Sequence, residues 1–211
     1  MSTAHVFDRL YTRYDSWYER HPALAYSELL TVACALGDPG YPCVEVGVGT
    51  GWFAHKVGCR FGVDPSLGML KIARKRGLEV VAGIGENLPF RDSGFSSALL
   101  VVTLCFVDDP MKVVEELSRI LRKDGILVAC IVPRDSPWGN FYVKLSARGH
   151  PFYSVARFYT VKEVDDLISS FGFVKEEACA TLTSPPGVER VELPRPYRGG
   201  EGFVCLRYRR K

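Results

Sequence analysis

The sequence contains no apolar stretch long enough to cross a membrane. Its apolar runs, such as Ala98 to Val102, fall well short of the roughly 20 residues that a bilayer requires. The N-terminal segment carries Asp8, Arg9 and Arg13 where a secretion signal would have an apolar core. These absences predict a cytoplasmic protein without a membrane span.

Metal-binding residues are few and scattered. The sequence has only four histidines, which do not cluster, and no C-x-x-C pair. Structural zinc sites need such clustered ligands, so no metal site is predicted. The net charge is only +3, with 27 basic and 24 acidic side chains. A charge this small does not favour nucleic acid as a partner.

Cysteine is not scarce, but its number is odd. Most of the cysteines lie in apolar runs. Free cysteine is usually a small buried hydrophobe, so we expect reduced thiols in a reducing compartment. The seven residues are Cys34, Cys43, Cys59, Cys105, Cys130, Cys179 and Cys205.

The hydrophobic pattern divides the chain into an N-terminal helical part and an alternating part. Residues 4–37 have aromatic and aliphatic side chains at helical spacing and predict two helices, followed by a turn-rich linker at 38–42. Strands and helices then alternate. The predicted strands are 43–46, 60–64, 78–82, 98–102 and 125–132, and the predicted helices are 52–57, 67–76 and 110–121. This alternation predicts an α/β protein with a doubly wound, mostly parallel sheet.

The last third of the chain departs from this alternation. Residues 136–159 are rich in aromatic residues, glycine and proline, and we expect them to cover an edge of the sheet. A helix is predicted over 160–171, because Thr160 and Glu163 have the spacing of a capping box. Two further strands are predicted at 173–183 and 202–209, joined by a proline-rich loop.

A glycine-rich segment, Val44 to Gly51, lies where the first strand meets the first helix of the alternating part. Ligands of open α/β sheets bind at the carboxyl ends of the strands, so this segment is in the right place for a ligand. A dinucleotide fingerprint would need a glycine where Trp52 stands. Glu45 is a poor neighbour for a pyrophosphate, whereas Asp64 can accept hydrogen bonds from a ribose diol. The pattern favours a cationic nucleoside, with an NAD(P)-dependent oxidoreductase as the alternative.

Three segments together resemble the class I S-adenosylmethionine-dependent methyltransferases. They are Glu45–Gly51, Asp64-Pro65-Ser66 with Met69, and Gly85–Phe90. The chain is most similar to small stand-alone relatives of the ubiquinone/menaquinone-biosynthesis methyltransferases. The resemblance implies a Rossmann-like methyltransferase fold of seven strands, with the last strand antiparallel and inserted beside the sixth. It also implies one domain, 1–211, with a helical cap (1–38), a cofactor-binding core (41–133) and an acceptor-side cover with the last strands (134–211).

The same resemblance implies S-adenosylmethionine as cofactor and assigns residues to it. Asp64 would hold the ribose hydroxyls, the glycine loop would contact the methionine portion, and Glu45 would lie near its amino group. Where Ile84 stands, the family usually has an acidic residue that binds the adenine amine. The expected cofactor-binding residues are Tyr14, Glu45, Val46, Gly47, Gly49, Asp64, Pro65, Met69, Ile84, Gly85, Glu86 and Thr103.

The resemblance implies methyl transfer by in-line displacement to a small-molecule acceptor. The leaving group is a neutral thioether, and no catalytic residue is predicted because positioning can supply much of the acceleration. A cofactor-binding module without turnover and a methyltransferase acting on RNA or protein are the alternatives. Candidates for shaping an acceptor pocket are Trp138, Phe141, Tyr142, Phe152, Tyr153 and Tyr159, and candidate polar groups there are Glu19, His21, Tyr142, His150 and Tyr159.

Overall fold

Amphipathic helices and short apolar strands assemble into one sheet that is covered on both faces. The computed structural model describes residues 3–211. The helices are α1 (Thr3–Arg20), α2 (Pro22–Leu36), α3 (Trp52–Val57), α4 (Leu67–Lys75), α5 (Pro110–Ile120), α6 (Pro137–Ala147) and α7 (Val161–Ser169). The strands are β1 (Cys43–Val46), β2 (Phe61–Asp64), β3 (Glu79–Ala82), β4 (Phe95–Val101), β5 (Leu121–Ile131), β6 (Phe173–Thr181), β7 (Arg195–Pro196) and β8 (Phe203–Arg210).

The strand order is β3-β2-β1-β4-β5-β8-β6-β7. Strands β1 to β5 pair in parallel, and β8 lies antiparallel between β5 and β6. The doubly wound topology and the inserted last strand are therefore confirmed. The count of seven strands is wrong, because Arg195 and Pro196 pair with Ala180 and Cys179 as a short eighth strand. Prolines made this segment look like a loop, but an edge strand tolerates proline because its outer N–H groups need no partner.

Alternate residues along the strands bury opposite faces of the sheet. Leu99 and Val101 point to one layer, with α2, α3, α4 and α6 packed on it. Ala98 and Leu100 point to the other layer, which contains α5 and α7. The sequence predicts this arrangement, because a central parallel strand is apolar on both faces.

The two N-terminal helices occupy different places. Pro22 begins α2, where its missing N–H costs nothing, and α2 packs on β6 and β8. Helix α1 instead packs on α4. A Cβ on Gly68 would lie 2.6 Å from the Tyr11 ring, so the glycine permits this close approach. Helix α1 is thereby held next to the carboxyl ends of β1 and β2.

The region after β5 contains one helix that the sequence analysis did not predict. Ser136 begins α6 by accepting a hydrogen bond from the N–H of Gly139 at 2.9 Å. The predicted capping box of α7 is confirmed. The N–H of Thr160 donates to Glu163 at 2.7 Å, and the N–H of Glu163 donates to the Thr160 hydroxyl at 3.2 Å.

The prediction that the cysteines are free is wrong for six of the seven. The structure pairs Cys34 with Cys179, Cys43 with Cys59 and Cys130 with Cys205. Only Cys105 is free among the described residues. Scattered cysteines in apolar runs gave no sign of pairing, because their partners lie on other segments that only the fold brings together. Across residues 3–211, no helix is long and apolar enough to span a bilayer and no group of three potential ligands is placed to hold a metal.

Candidate functional site

The glycine loop turns sharply at the carboxyl end of β1. Gly47, Gly49 and Gly51 all have positive φ, at 72°, 52° and 76°. Gly47 is the most constrained, because a Cβ there would lie 2.3 Å from the side chain of Thr103, which follows β4. Glycine is needed here for conformation and space, and the loop can therefore present its backbone to a ligand.

Asp64 ends β2 and organises the adjacent loops. Its two carboxylate oxygens accept hydrogen bonds from the N–H groups of Gly49 and Ser66, each at 2.9 Å. Burial raises the pKa of Asp64, and these two N–H groups oppose that shift. Each carboxylate oxygen has a second lone pair, so the group can still accept a hydrogen bond from a bound hydroxyl.

A cavity of about 280 Å³ opens at this edge of the sheet. Its wall combines the glycine loop, the end of β2 and the segments after β3 and β4. Of the residues predicted for the cofactor, all but Glu45 line it: Tyr14, Val46, Gly47, Gly49, Asp64, Pro65, Met69, Ile84, Gly85, Glu86 and Thr103. The structure thus gathers residues from six parts of the chain around one space.

Glu45 lies behind the glycine loop. Its side chain is buried and accepts a hydrogen bond from the N–H of Ala54 at 2.9 Å, in the first turn of α3. Burial raises the pKa of Glu45 to about 8, against the opposing effect of the Ala54 N–H. In this structure Glu45 fixes the start of α3 relative to β1.

Two residues after β3 differ in what they offer the cavity. Ile84 is 49% exposed and presents an apolar surface. Glu86 is engaged elsewhere, because its carboxylate accepts hydrogen bonds from the N–H groups of Asp108 and Asp109 at 2.9 and 3.2 Å. Glu86 therefore ties the segment after β3 to the start of α5.

Two aspartates hold helix α1 next to the cavity. The sequence analysis did not identify their partners. Asp8 accepts hydrogen bonds from the Ser66 hydroxyl at 2.9 Å and the Gly68 N–H at 3.0 Å. Asp15 forms a bidentate ion pair with Arg76 at 2.8 and 3.1 Å. Both residues lie in the predicted cap (1–38), but nothing in that segment indicates their partners, which lie at the two ends of α4.

A second cavity, of about 420 Å³, adjoins the first through Tyr14, Val102 and Phe106, which line both. All six aromatic residues predicted for an acceptor pocket line it. Of the candidate polar groups, His21, Tyr142, His150 and Tyr159 line it as well, whereas Glu19 does not. The Tyr159 hydroxyl is buried without a hydrogen-bond partner among the described residues. The sequence analysis missed Glu28 of α2, a buried carboxyl group in the same wall.

Trp52, where a dinucleotide motif would have glycine, lines neither cavity. Its indole stacks on the Tyr18 ring at 4.4 Å between centroids, with an angle of 2° between the planes. The glycine-loop crevice is therefore open beside it.

Known proteins are similar to this chain in sequence. A model described as a methyltransferase domain matches residues 44–129. An uncharacterized protein of Mycobacterium tuberculosis is 40% identical over 199 residues, covering 92% of this chain and 70% of that protein. A demethylmenaquinone methyltransferase of Paenarthrobacter aurescens is 31% identical over 131 residues, covering 59% of this chain and 47% of the enzyme.

A solved structure extends the likeness to the whole chain. The Thermotoga maritima protein, described as a SAM-dependent methyltransferase and possible histamine N-methyltransferase, is 39% identical. Its TM-score is 0.93, over 99% of this chain and 100% of that chain. With a glycine loop and a strand-end aspartate around one crevice, the chain belongs to the class I S-adenosylmethionine-dependent methyltransferases.

Proposed function

We propose that this protein transfers the methyl group of S-adenosylmethionine to a small-molecule acceptor. The observation that carries the proposal is the pair of adjoining cavities. One has the glycine loop and Asp64 in its wall, and the other is aromatic and large enough for a small organic molecule. Methyl transfer needs this adjacency, because donor and acceptor must be held in line at short distance.

The first cavity fits the cofactor in the chemistry of its wall. Asp64 has lone pairs free for the ribose hydroxyls, and Pro65 with the buried Met69 offers an apolar surface for adenine. Gly47 and Gly49 expose backbone for the methionine portion, beside Thr103. The remaining predicted residues, Tyr14, Val46, Ile84, Gly85 and Glu86, complete the wall, with Glu45 holding the loop from behind.

The bound sulfonium supplies an activated methyl group with a neutral thioether as leaving group. The chain then has to position the acceptor and exclude water, which the aromatic second cavity is suited to do. We propose three functional parts: the cap (1–38), the cofactor-binding core (41–133) and the acceptor-side cover with the last strands (134–211).

The size and lining of the second cavity favour a small acceptor over RNA. Two basic side chains of the last strand, β8, are engaged within the protein. Arg207 donates to Glu176 and to the Ala35 carbonyl, both at 2.9 Å, and Arg209 also pairs with Glu176. Those arginines are therefore tied to the molecule rather than displayed to a phosphate backbone.

Calorimetry with S-adenosylmethionine and its demethylated product tests the cofactor site. Saturable binding is expected, and Asp64→Ala should weaken it by more than about 1 kcal/mol, the scale of a lost charged hydrogen bond. Asp135→Ala is the matched control, because Asp135 is exposed and lines neither cavity. Absence of saturable heat in the unaltered protein would overturn the proposal. Transfer of labelled methyl to a component of a metabolite extract then separates an enzyme from a module without turnover.

A further inference from the structure

The second cavity contains a carboxyl group that the protein leaves without a partner. Glu28 lies on α2, is 8% exposed and lines the cavity. Its carboxyl group forms no hydrogen bond or ion pair with any residue of the described chain, 3–211, and burial is the cause of its raised pKa. Its neighbours on the helix are satisfied, since the hydroxyls of Ser27 and Thr31 donate to backbone carbonyls at 2.7 and 2.9 Å.

An unpartnered buried carboxyl group is costly for a folded protein. Burial raises the pKa of Glu28 to about 8. Glu45 is just as buried, but its carboxylate has the Ala54 N–H. Because Glu28 makes no such contact with the rest of the fold, its carboxyl group is free to bind a ligand that enters the cavity.

Four tyrosines from three parts of the chain line the same cavity as this carboxyl group. Tyr14 and Tyr18 come from α1, Tyr142 from α6 and Tyr153 from the turn that follows α6. Burial raises the pKa of all four phenols, and the negative charge of Glu28 raises each of them further. The carboxylate therefore acts across the cavity on every one of these side chains.

The aromatic rings, like the carboxylate, make the cavity favourable for a positively charged ligand. The centroids of Tyr142 and Tyr153 are 4.4 Å apart, so these two rings form one continuous aromatic wall. Aromatic faces attract cations through the ring quadrupole. A carboxylate beside such faces favours a ligand with positive charge and flat apolar surface.

The cationic groups of the same wall do not neutralise Glu28. His21 pairs with Glu189. Arg13 and Arg20 are exposed. His150 stacks on Tyr153 at 4.4 Å, and burial followed by the charge of Arg13 lowers its pKa, which disfavours its charged form.

We infer that Glu28 determines acceptor specificity by binding a cationic nitrogen, so that the acceptor is a small molecule with a basic amino group. This inference rests on the proposed function of the cavity. The ammonium group donates to the carboxylate, and the tyrosine rings contact the adjoining carbon skeleton. A neutral acceptor of the same shape offers only an uncharged hydrogen bond to Glu28, which is weaker than a charge-assisted one, and an anionic acceptor is repelled, so both are disfavoured.

Two probes of the same shape test the preference. Phenethylamine is cationic and phenethyl alcohol is neutral, and the binding of each is measured by calorimetry with the demethylated cofactor present. The amine should bind at least about tenfold more tightly, which corresponds to about 1.4 kcal/mol. Glu28→Gln, which keeps the shape and removes the charge, should abolish that preference. Glu19→Gln removes an equal charge from the exposed face of α1 and should retain it.

Proton release gives an independent readout. At pH 7 a carboxyl group with a pKa of about 8 is mostly protonated, so binding an ammonium ion should release close to one proton. At pH 9 the group is already ionised and the release should vanish. Titrations in buffers of different ionisation enthalpy measure this quantity. The release should disappear in Glu28→Gln, although His21, His150, Glu189 and the tyrosines of the wall remain.

Equal affinity for the two probes, tighter binding of the alcohol, or failure of the amine to bind contradicts the inference. So does a preference that survives in Glu28→Gln. Binding of the demethylated product to Glu28→Gln shows that the variant is folded. If the unaltered protein binds neither form of the cofactor, the proposed function fails, while the amine preference can still be measured without cofactor.

Discussion

At the scale of single residues, the space around a side chain and its hydrogen-bond partners show what the residue does in the site, whereas its type alone does not. Gly47, Gly49 and Asp64 line the crevice, as the sequence motif predicts. The backbone N–H of Gly49 donates to Asp64, so the two halves of the motif hold each other. Glu86 also lines the cavity, but its carboxylate accepts hydrogen bonds from the segment before α5.

Gly47→Ala should reduce both stability and cofactor binding. The new Cβ would meet Thr103 at 2.3 Å on a backbone with φ of 72°. We expect a loss of more than about 2 kcal/mol in the free energy of unfolding, because a left-handed conformation alone costs about 1–2 kcal/mol. Urea denaturation and calorimetry with the demethylated cofactor measure the two effects.

The matched control is Gly58→Ala, at the end of α3. Gly58 has a φ of 77°, but a Cβ there meets nothing within 4 Å. In Gly58→Ala the free energy of unfolding should fall only by the cost of the left-handed backbone conformation, and cofactor binding should be unchanged. If both variants behave alike, the contact with Thr103 has no role in the site.

At the scale of elements, the position of α1 is determined by its contacts with the two ends of α4 and not by its own hydrophobic pattern. Aromatic residues at helical spacing predict the helix but not its docking. Asp8 satisfies the N–H of Gly68 at the start of α4, and Asp15 reaches Arg76 just beyond its end. The two contacts hold α1 in place so that Tyr14 reaches both cavities.

Asp15→Asn should loosen α1. The ion pair with Arg76 is bidentate, and both side chains are about three-quarters buried. We expect a loss of about 1 kcal/mol in the free energy of unfolding, discounted for partial exposure. Hydrogen exchange of the α1 amides should rise. Asp166→Asn, which breaks the exposed pair with Lys162, should leave both measurements unchanged.

If α1 exchanges at the same rate in Asp15→Asn and in the unaltered protein, this ion pair does not hold the helix. A change restricted to α7 in the Asp166 variant would remain consistent with the expected result, because that pair lies within one helix.

At the scale of the whole molecule, two of the three cysteine pairs connect distant parts of the chain. Cys34 and Cys179 are 145 residues apart in sequence and join α2 to β6. Cys130 and Cys205 join β5 to β8, which are neighbours in the sheet. Cross-links of this kind stabilise a fold mainly by restricting the unfolded chain.

Thiol counting tests the pairing. The protein denatured without reductant should expose one reactive thiol, Cys105, whereas full reduction should expose all seven cysteines. Loss of a bridge should lower stability by about 2–5 kcal/mol, so reduction should also lower the melting temperature. Seven reactive thiols in the purified, unreduced and denatured protein would show that the bridges are not formed.

The sequence patterns by themselves determined the sheet class and the position of the crevice, and the resemblance to a known family predicted nearly all of the residues that line it. Strand ends, glycine turns and helix caps depend on residues close together in sequence, as in the loop around Gly47 and the helix cap at Thr160, so a sequence pattern can predict them. The unpredicted edge strand at Arg195 and the helix α6 fall where prolines and aromatic residues obscure the pattern.

Only the tertiary structure decided which distant groups meet. The partners of Asp15 and Cys34 lie 61 and 145 residues away. Glu28 looks like an ordinary surface residue of α2 until the second cavity forms around it. Its burial depends on three other segments of the chain closing over it, and no local pattern records whether a charge there will find a partner.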